Sequence, residues 1–191
     1  MSEQHNGRDR VVIISGPSGV GKSTICREVV KRLSNACLSV SVTTRAQGAG
    51  EIEGQDYRFV SKAEFERLVS EGYFLEYAEV FGSFYGTARD QVEEALAAGK
   101  TVILEIDVQG AKQVKVAYPD ALMIFILPPS HRELAERIGD RGRDDEESAE
   151  ARLGKSGTEI ASGWQYYKHM VINDDLEQAV NEVIQFIKET Q

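Results

Sequence analysis

The chain has few cysteines, no long apolar run and no excess of positive charge. Cys26 and Cys37 are too few for the disulfide framework of a small secreted protein, and neither Cys-x-x-Cys nor a His-rich spacing indicates zinc. The longest apolar runs, at 11–14 and 121–127, are far shorter than the roughly 20 residues of a membrane-spanning helix. The polar amino terminus lacks the apolar stretch of a signal peptide. We therefore expect a cytoplasmic protein with no membrane association.

Charge narrows the range of partners. The chain has 22 Lys and Arg against 31 Asp and Glu, a net charge of −9. A surface that holds a nucleic-acid polymer needs a clustered excess of basic residues, so we expect no such partner, and no obligate protein partner is evident. An acidic protein can still bind an anionic nucleotide if a few cations converge on one pocket.

The order of apolar segments predicts an α/β fold. Short β-branched or apolar runs at 11–15, 101–108, 121–127 and 170–174 alternate with helical patterns, which is typical of a parallel sheet covered by helices on both faces. A further strand is predicted at 37–44. The glycine-rich segment from about 43 to 87 has shorter and more polar strands, and predicts an inserted α+β subdomain. We expect a loose tail at 1–9 and one domain over 10–191, whose three-layer core covers about 10–42, 88–130 and 165–191.

The strongest motif lies between the first predicted strand and the first predicted helix. Residues 16–23 read G-P-S-G-V-G-K-S and match the P-loop pattern G-x-x-x-x-G-K-[ST]. Glycines let backbone N–H groups turn toward phosphates, and the helix that follows directs its positive end at the same anion. Lys22 would reach the β- and γ-phosphates and Ser23 would bind Mg²⁺. The predicted ATP-binding residues in this segment are Gly16, Pro17, Ser18, Gly19, Val20, Gly21, Lys22, Ser23 and Thr24.

Arginines are frequent after the strand at 121–127. Arg137 and Arg141 are four residues apart, so a helix would carry them on one face, and Arg132, Arg143 and Arg152 lie nearby. Such a cluster can surround a transferring phosphoryl group, or it can be a solvated basic face balanced by the acidic residues 144–147. The residues alone do not decide between these interpretations. The N-K-x-D motif by which GTPases read guanine is absent.

From about residue 11 to its end the chain resembles the guanylate kinases. The segments that carry the resemblance are GPSGVGKST, SVTTR, GE-x-x-GQDYRFV (here GEIEGQDYRFV), FLEYAEV, FYGT, ILEIDVQGA, IFILPPS, ER-x-x-x-RG and VINDDL. Their joint order and spacing are specific although several are uninformative singly. The resemblance implies ATP and GMP as substrates, Mg²⁺, a P-loop core, a GMP-binding insertion at about 43–87 and a small helical lid at about 131–164.

The resemblance also implies roles for single residues. The implied ligands of the GMP phosphate are Ser41, Arg45, Tyr57 and Tyr85. The residues implied around guanine or ribose are Glu76, Thr87, Glu105 and Asp107. The implied catalytic residues are Lys22, Arg137, Arg141 and Arg152, and Asn173 is implied near adenine. Carboxylates suit guanine, whose N1–H and amino group are adjacent donors, whereas adenine presents an acceptor at N1. Glu76 and Asp107 are both predicted within apolar strands, where a carboxylate without a partner is costly.

One position departs from the family pattern. The family segment T-T-R-x-P-R-x-G-E appears here with Gly48 in place of its second arginine. A charge-assisted phosphate contact contributes about 1.5–3 kcal/mol, so we expect a raised KM for GMP, unless a cation such as Arg58 substitutes. Two other functions stay open: a binding module for a phosphorylated partner, and a P-loop kinase with a different small acceptor.

Overall fold

The structure is a computed structural model that describes residues 10–139 and 146–189, without the side chains of 146–152. The predicted tail and Arg141 lie outside the described residues. The strands are β1 (Arg10–Ser15), β2 (Ala36–Leu38), β3 (Val42–Thr43), β4 (Arg58–Phe59), β5 (Phe74–Val80), β6 (Ser83–Ala88), β7 (Thr101–Glu105), β8 (Leu122–Leu127) and β9 (His169–Ile172). The helices are α1 (Lys22–Arg32), α2 (Lys62–Ser70), α3 (Arg89–Ala97), α4 (Val108–Ala117), α5 (His131–Gly139), α6 (Glu146–Tyr166) and α7 (Leu176–Glu189).

The larger sheet contains five strands in the order β2-β7-β1-β8-β9, and every neighbouring pair is parallel. Strands that are buried on both faces need apolar residues at every position rather than at alternate ones. The run LMIFIL of β8 fits this requirement, and all six of its residues are buried. The predicted parallel sheet is therefore confirmed.

Helices cover both faces of this sheet. One apolar cluster joins β1 and β8 to α1 and α7, for example through Val29 and Val183. The other cluster joins the opposite faces of the strands to α3 and α4, for example through Val92 and Val114. Tyr167, just after α6, packs in that second cluster. The three-layer α/β core predicted from the sequence is confirmed.

A smaller sheet of four strands has the order β4-β3-β6-β5. The β5–β6 hairpin and the β3–β6 pair are antiparallel, and β3 pairs in parallel with β4. Helix α2 packs Phe65 and Leu68 against Val42 and Phe74 of this sheet. Gln113 on α4 exchanges hydrogen bonds with both backbone groups of Tyr77 on β5, so the core fixes the position of this hairpin.

The single strand predicted at 37–44 is wrong. The segment contains two short strands in different sheets: β2 pairs with β7 of the core, whereas β3 pairs with β4 and β6. Both halves have strand-forming residues, but pairing with distant segments decides which sheet each half joins. The backbone crosses between the two sheets at Ser39–Ser41, since Ser39 bonds β7 and Ser41 bonds β4.

The segment predicted as a lid, at about 131–164, covers α5 and most of α6. Helix α6 runs for 21 residues without interruption through Gly154 and Gly157, two residues that disfavour helix.

Among the residues that the structure describes, no helix combines the length and the apolar character needed to cross a membrane.

Candidate active site

The P-loop connects the end of β1 to the start of α1. Gly21 has φ 100°, a left-handed conformation that favours glycine, and a Cβ at this position would overlap the side-chain amide of Asn173. That amide donates a hydrogen bond of 2.7 Å to the carbonyl oxygen of Val20. Asn173 is buried, and its backbone N–H bonds the carbonyl of Leu127. The structure therefore places Asn173 behind the P-loop as a brace.

The two polar P-loop side chains have defined partners. The Lys22 ammonium donates to the carbonyl oxygens of Gly16 at 2.7 Å and Pro17 at 2.9 Å. The Ser23 hydroxyl donates to Oε1 of Glu105 at 2.7 Å. Glu105 is the last residue of β7, beside Ile14 of β1. The predicted magnesium ligand and an acidic residue of the neighbouring strand thus form one polar unit at the carboxyl ends of the strands.

This unit has the chemistry of a magnesium site. Mg²⁺ in nucleotide sites is held by one or two protein oxygens, by substrate phosphates and by water. Because the Ser23 hydroxyl gives its hydrogen to Glu105, its oxygen lone pairs remain available to a cation. The described residues contain no cluster of three or more His, Cys, Asp or Glu side chains that could hold a metal by themselves. Ser23 and Glu105 fit an ion that depends on phosphate for its other ligands.

A cavity of about 910 Å³ lies between the P-loop and the smaller sheet. Its size is at the upper end of small-molecule sites. The predicted site residues that line it are Gly16, Ser18, Gly19, Gly21, Lys22, Ser23, Thr24, Ser41, Arg45, Tyr57, Glu76, Tyr85, Glu105 and Asp107. Residues predicted to bind ATP therefore face residues predicted to bind GMP across one continuous space.

Other predicted residues lie outside the cavity lining. The side chain of Val20 is fully buried in the core, so only its backbone belongs to the P-loop. Thr87 is also buried and acts on the cavity through its hydroxyl, which donates to Oε1 of Glu76 at 2.6 Å. Arg137 donates to the backbone carbonyl of Asn173 at 3.1 Å and forms an ion pair with Glu133 at 3.3 Å. Arg141 and the side chain of Arg152 are not among the described parts.

Glu76 is a buried carboxylate in the lining of the cavity. Glu76 lies on β5, as the sequence predicted, and it is only 4% exposed. Burial is the main reason that its pKa is raised to about 7, and the nearby Asp107 adds to this, while the bond from Thr87 acts in the opposite direction. A Cβ at Gly110 would overlap Oε2 of Glu76, so glycine at 110 makes room for this carboxylate.

Asp107 does not lie in a strand, and that prediction is wrong. Strand β7 ends at Glu105, and Asp107 is the N-cap of α4. Its Oδ1 accepts from the N–H of Gly110 at 2.9 Å and its Oδ2 from Gln109 at 3.0 Å. The segment 107–110 matches the D-x-x-G pattern of a GTPase switch, but here its aspartate caps a helix. Capping fixes the aspartate beside Glu76, so two acceptor groups face the same part of the cavity.

Another part of the lining carries a cation beside two aromatic rings, those of Tyr57 and Phe59. The guanidinium of Arg45 lies 5.3 Å from the centre of the Tyr57 ring, and Tyr57 meets Tyr85 edge to face at 6.0 Å. Arg45 forms an ion pair with Glu51 at 2.8 Å. Burial raises the pKa of the Tyr57 hydroxyl, which therefore stays a hydrogen-bond donor at neutral pH.

Gly48 lies beside this cation. Its N–H donates to Oε2 of Glu51 at 2.7 Å, and it lines the cavity. Arg58, the suggested substitute cation, is exposed and donates to the Tyr73 hydroxyl at 3.1 Å, away from the residues that line the cavity. Arg58 therefore does not replace the missing arginine.

Sequence reasoning missed four charged residues of the cavity. Glu51 and Asp56 lie on the loop between β3 and β4, Arg27 on α1, and Glu159 on α6. The i,i+4 spacing of Ser23 and Arg27 was a signal that both lie on one face of α1. Glu159 forms an ion pair with Lys155 at 3.8 Å, and burial raises its pKa in spite of Lys22 nearby.

Comparisons with known proteins agree with this geometry. Residues 8–190 match the family model described as guanylate kinase. The chain is 48% identical over 173 residues to a protein named guanylate kinase from Carboxydothermus hydrogenoformans, covering 91% of this chain and 84% of that protein. It is 42% identical over 189 residues to a guanylate kinase from Synechocystis, covering 99% and 98% of the two chains.

A solved structure shares the fold. The crystal structure of guanylate kinase from Anaplasma phagocytophilum superposes with a TM-score of 0.81 at 34% identity, covering 97% of this chain and 88% of that one. These matches extend over both sheets and over α5 and α6. They confirm the resemblance that the sequence motifs indicated.

Proposed function

Because the chain belongs to the guanylate kinase family, we propose that it transfers the γ-phosphoryl group of ATP to GMP or dGMP, giving ADP and GDP or dGDP. One observation carries this proposal. A single cavity has the P-loop on one side and Arg45, Tyr57 and Glu76 on the other, so two phosphorylated ligands can meet end to end. We assign this activity to purine nucleotide metabolism in the cytoplasm.

Selection of guanine rests on the acceptors Glu76 and Asp107. An ionised Glu76 can accept from the adjacent N1–H and amino donors of guanine, whereas adenine would present an acceptor to it. The Thr87 hydroxyl holds Oε1 of Glu76 and thereby fixes its rotamer. Asp107 cannot turn away because α4 uses its carboxylate as a cap. The site is therefore organised before the base arrives.

The phosphate of GMP would bind between Arg45, Tyr57, Tyr85 and Ser41. Glu51 accepts two hydrogen bonds from Arg45, and a phosphate would compete with that carboxylate for the guanidinium. The hydroxyls of Tyr57 and Tyr85 add two uncharged hydrogen-bond donors for the phosphate. With Gly48 beside them, this end of the site offers one loop arginine rather than two.

ATP would bind on the P-loop. The N–H groups of 16–23 and the N-terminal end of α1 would hold the phosphates, and Lys22 would exchange the carbonyls of Gly16 and Pro17 for phosphate oxygens. Mg²⁺ bound at Ser23 would neutralise part of the phosphate charge. Phosphoryl transfer needs positioning and charge stabilisation more than covalent chemistry. Lys22 supplies charge from the P-loop, and Arg137, Arg141 and Arg152 would supply it from the lid.

Asn173 has a supporting part in this scheme. Its amide braces the P-loop through Val20, and its carbonyl accepts from Arg137 of the lid helix. The adenine of ATP would lie at the edge of this unit, as the family resemblance implies. Arg137 therefore connects lid position to P-loop position through one residue.

The test is ADP release from ATP and Mg²⁺ with GMP, dGMP, AMP, CMP or UMP as acceptor. We expect turnover with GMP and dGMP, lost in Lys22→Ala and kept in Lys31→Ala, which removes an exposed lysine at the other end of α1. Turnover with a different acceptor alone would assign another kinase activity. No turnover with any acceptor would leave a binding module for a phosphorylated partner.

A further inference from the structure

Arg27 is a cation in the lining of the cavity that has no role in the proposed phosphoryl transfer. Among the described residues, Lys22, Arg27 and Arg45 are the Lys and Arg side chains that line the cavity. Arg27 follows Ser23 by four residues on α1, so both side chains point from the same face of the helix toward the cavity. Its helix is anchored in the core by Ile25 and Val29. The guanidinium therefore projects from a fixed support.

The partner of Arg27 is Asp56 on the loop between β3 and β4. The Arg27 guanidinium donates to Oδ1 of Asp56, and Oδ2 of Asp56 accepts from the N–H of Ile52 at 2.8 Å. The Asp56 side chain is 17% exposed, against 57% for Arg27. Asp56 is thus fixed within the loop, while Arg27 reaches across from the core.

That loop is a connected unit with its own internal bonds. Glu51 holds both Arg45 and the N–H of Gly48, and the N–H of Gly54 bonds the carbonyl of Tyr57. Asp56 directly precedes Tyr57 in the chain. A contact that moves Asp56 therefore moves Arg45 and Tyr57, the proposed ligands of the acceptor phosphate.

We propose that the Arg27–Asp56 ion pair is a positioning pair that sets the phosphate-binding loop at its working distance from the P-loop. The proposal rests on the proposed function. It assigns to Arg27 no contact with the phosphate itself. Because Gly48 leaves the loop with one arginine for the acceptor phosphate, catalysis depends strongly on where that arginine stands.

Two magnitudes separate this role from a purely structural one. Arg27 is more than half exposed, and exposed ion pairs contribute little to folding stability. A displacement of about 1 Å in a reacting group can still cost about 100-fold in rate. Loss of the pair should therefore change kinetics with GMP by about 10-fold or more in kcat/KM, while the melting temperature stays within about 2 °C of the wild type.

The test compares Arg27→Ala, Asp56→Asn and Arg27→Lys, which keeps the charge at position 27, in steady-state assays with varied GMP. Arg27→Ala and Asp56→Asn should lower kcat/KM for GMP, and Arg27→Lys should keep most of it. Affinity for MgATP, measured without GMP, should stay unchanged in all three. Arg32→Ala is the matched control, because it removes an ion pair from the same helix to Glu177 on α7 and should leave GMP kinetics unaltered.

Each result decides the proposal. A lower KM for GMP in Asp56→Asn would mean that Asp56 only withholds Arg27 from the phosphate, and would overturn the positioning role. A loss of kcat/KM in Arg27→Lys as large as that in Arg27→Ala would do so as well. Hydrogen exchange in the protein without nucleotides gives a readout independent of activity: amides 45–57 should exchange faster in Arg27→Ala and Asp56→Asn. Unchanged exchange rates would refute the positioning role of the ion pair, whereas absent GMP turnover in the wild type would refute the proposed function.

Discussion

Glu76 should reduce the stability of the protein at neutral and alkaline pH in return for guanine recognition. Its pKa is raised to about 7, mainly by burial, while the unfolded chain releases the same proton near the ordinary value of 4.5. Between these values the folded state binds more protons than the unfolded state. The free energy of unfolding therefore falls as pH rises from about 4.5 to about 7, and stays lowered above that range.

The size of the effect follows from the same two values. Linkage gives a loss of about 1 kcal/mol at pH 5 and about 3 kcal/mol at pH 8, as an upper estimate for one group. In Glu76→Gln the neutral amide keeps an acceptor for the Thr87 hydroxyl and avoids the buried charge. The free energy of unfolding of the variant, relative to that of the wild type, should therefore increase by about 2 kcal/mol from pH 5 to pH 8.

Urea unfolding of both proteins at pH 5, 6, 7 and 8 measures this directly. Glu79→Gln is the matched control, because Glu79 is an exposed carboxylate on the same strand and its variant should follow the wild type at every pH. Glu76→Gln should also lose GMP-dependent turnover, since its amide hydrogens oppose the donors of guanine. A variant that follows the wild type in stability from pH 5 to pH 8 would refute the buried charge as the source of the cost.

Three further results are expected. Affinity for GMP should rise about 10-fold per pH unit up to about pH 7 and then level off, because guanine needs an ionised Glu76. Calorimetry in two buffers should detect the proton that Glu76 releases when GMP binds. An affinity that does not change with pH would contradict this prediction. Thr87→Val removes a bond that lowers the pKa of Glu76, so the same profile should move to higher pH, and an unmoved midpoint would exclude that coupling. Gly48→Arg, at a glycine without positive φ, should lower KM for GMP about 10- to 100-fold, and an unchanged KM would show that this loop position does not reach the phosphate.

Local patterns in the sequence predicted the core well. The central strands β1, β7 and β8 of the larger sheet are buried on both faces, so their apolar runs stand out, and the P-loop pattern fixes the junction of β1 and α1. The run at 37–44 misled because both of its halves contain strand-forming residues, and pairing with segments far along the chain places them in different sheets. Asp107 had a usable signal, an acidic residue directly before a helical pattern, but the apolar residues around it favoured a strand.

Parts of the candidate site depend on contacts that no local pattern encodes. Arg27 and Asp56 are 29 residues apart in the chain, and their pairing follows only from how the smaller sheet stands on the core. Arg58 carries the same charge as Arg27 and is nearer to Gly48 in sequence, yet it faces Tyr73 outside the cavity. The raised pKa of Glu76 likewise depends on burial by residues of other elements, including the space left by Gly110.

The most direct test uses a ligand in which adenosine and guanosine are joined through a polyphosphate chain. If the P-loop and the Glu76 end belong to one continuous site, this compound should bind at least 100-fold more tightly than ATP or GMP alone. Lys22→Ala and Arg45→Ala should each remove most of that gain. Affinity no better than that of ATP alone, unchanged by Arg45→Ala, would contradict a site in which the two nucleotides meet end to end.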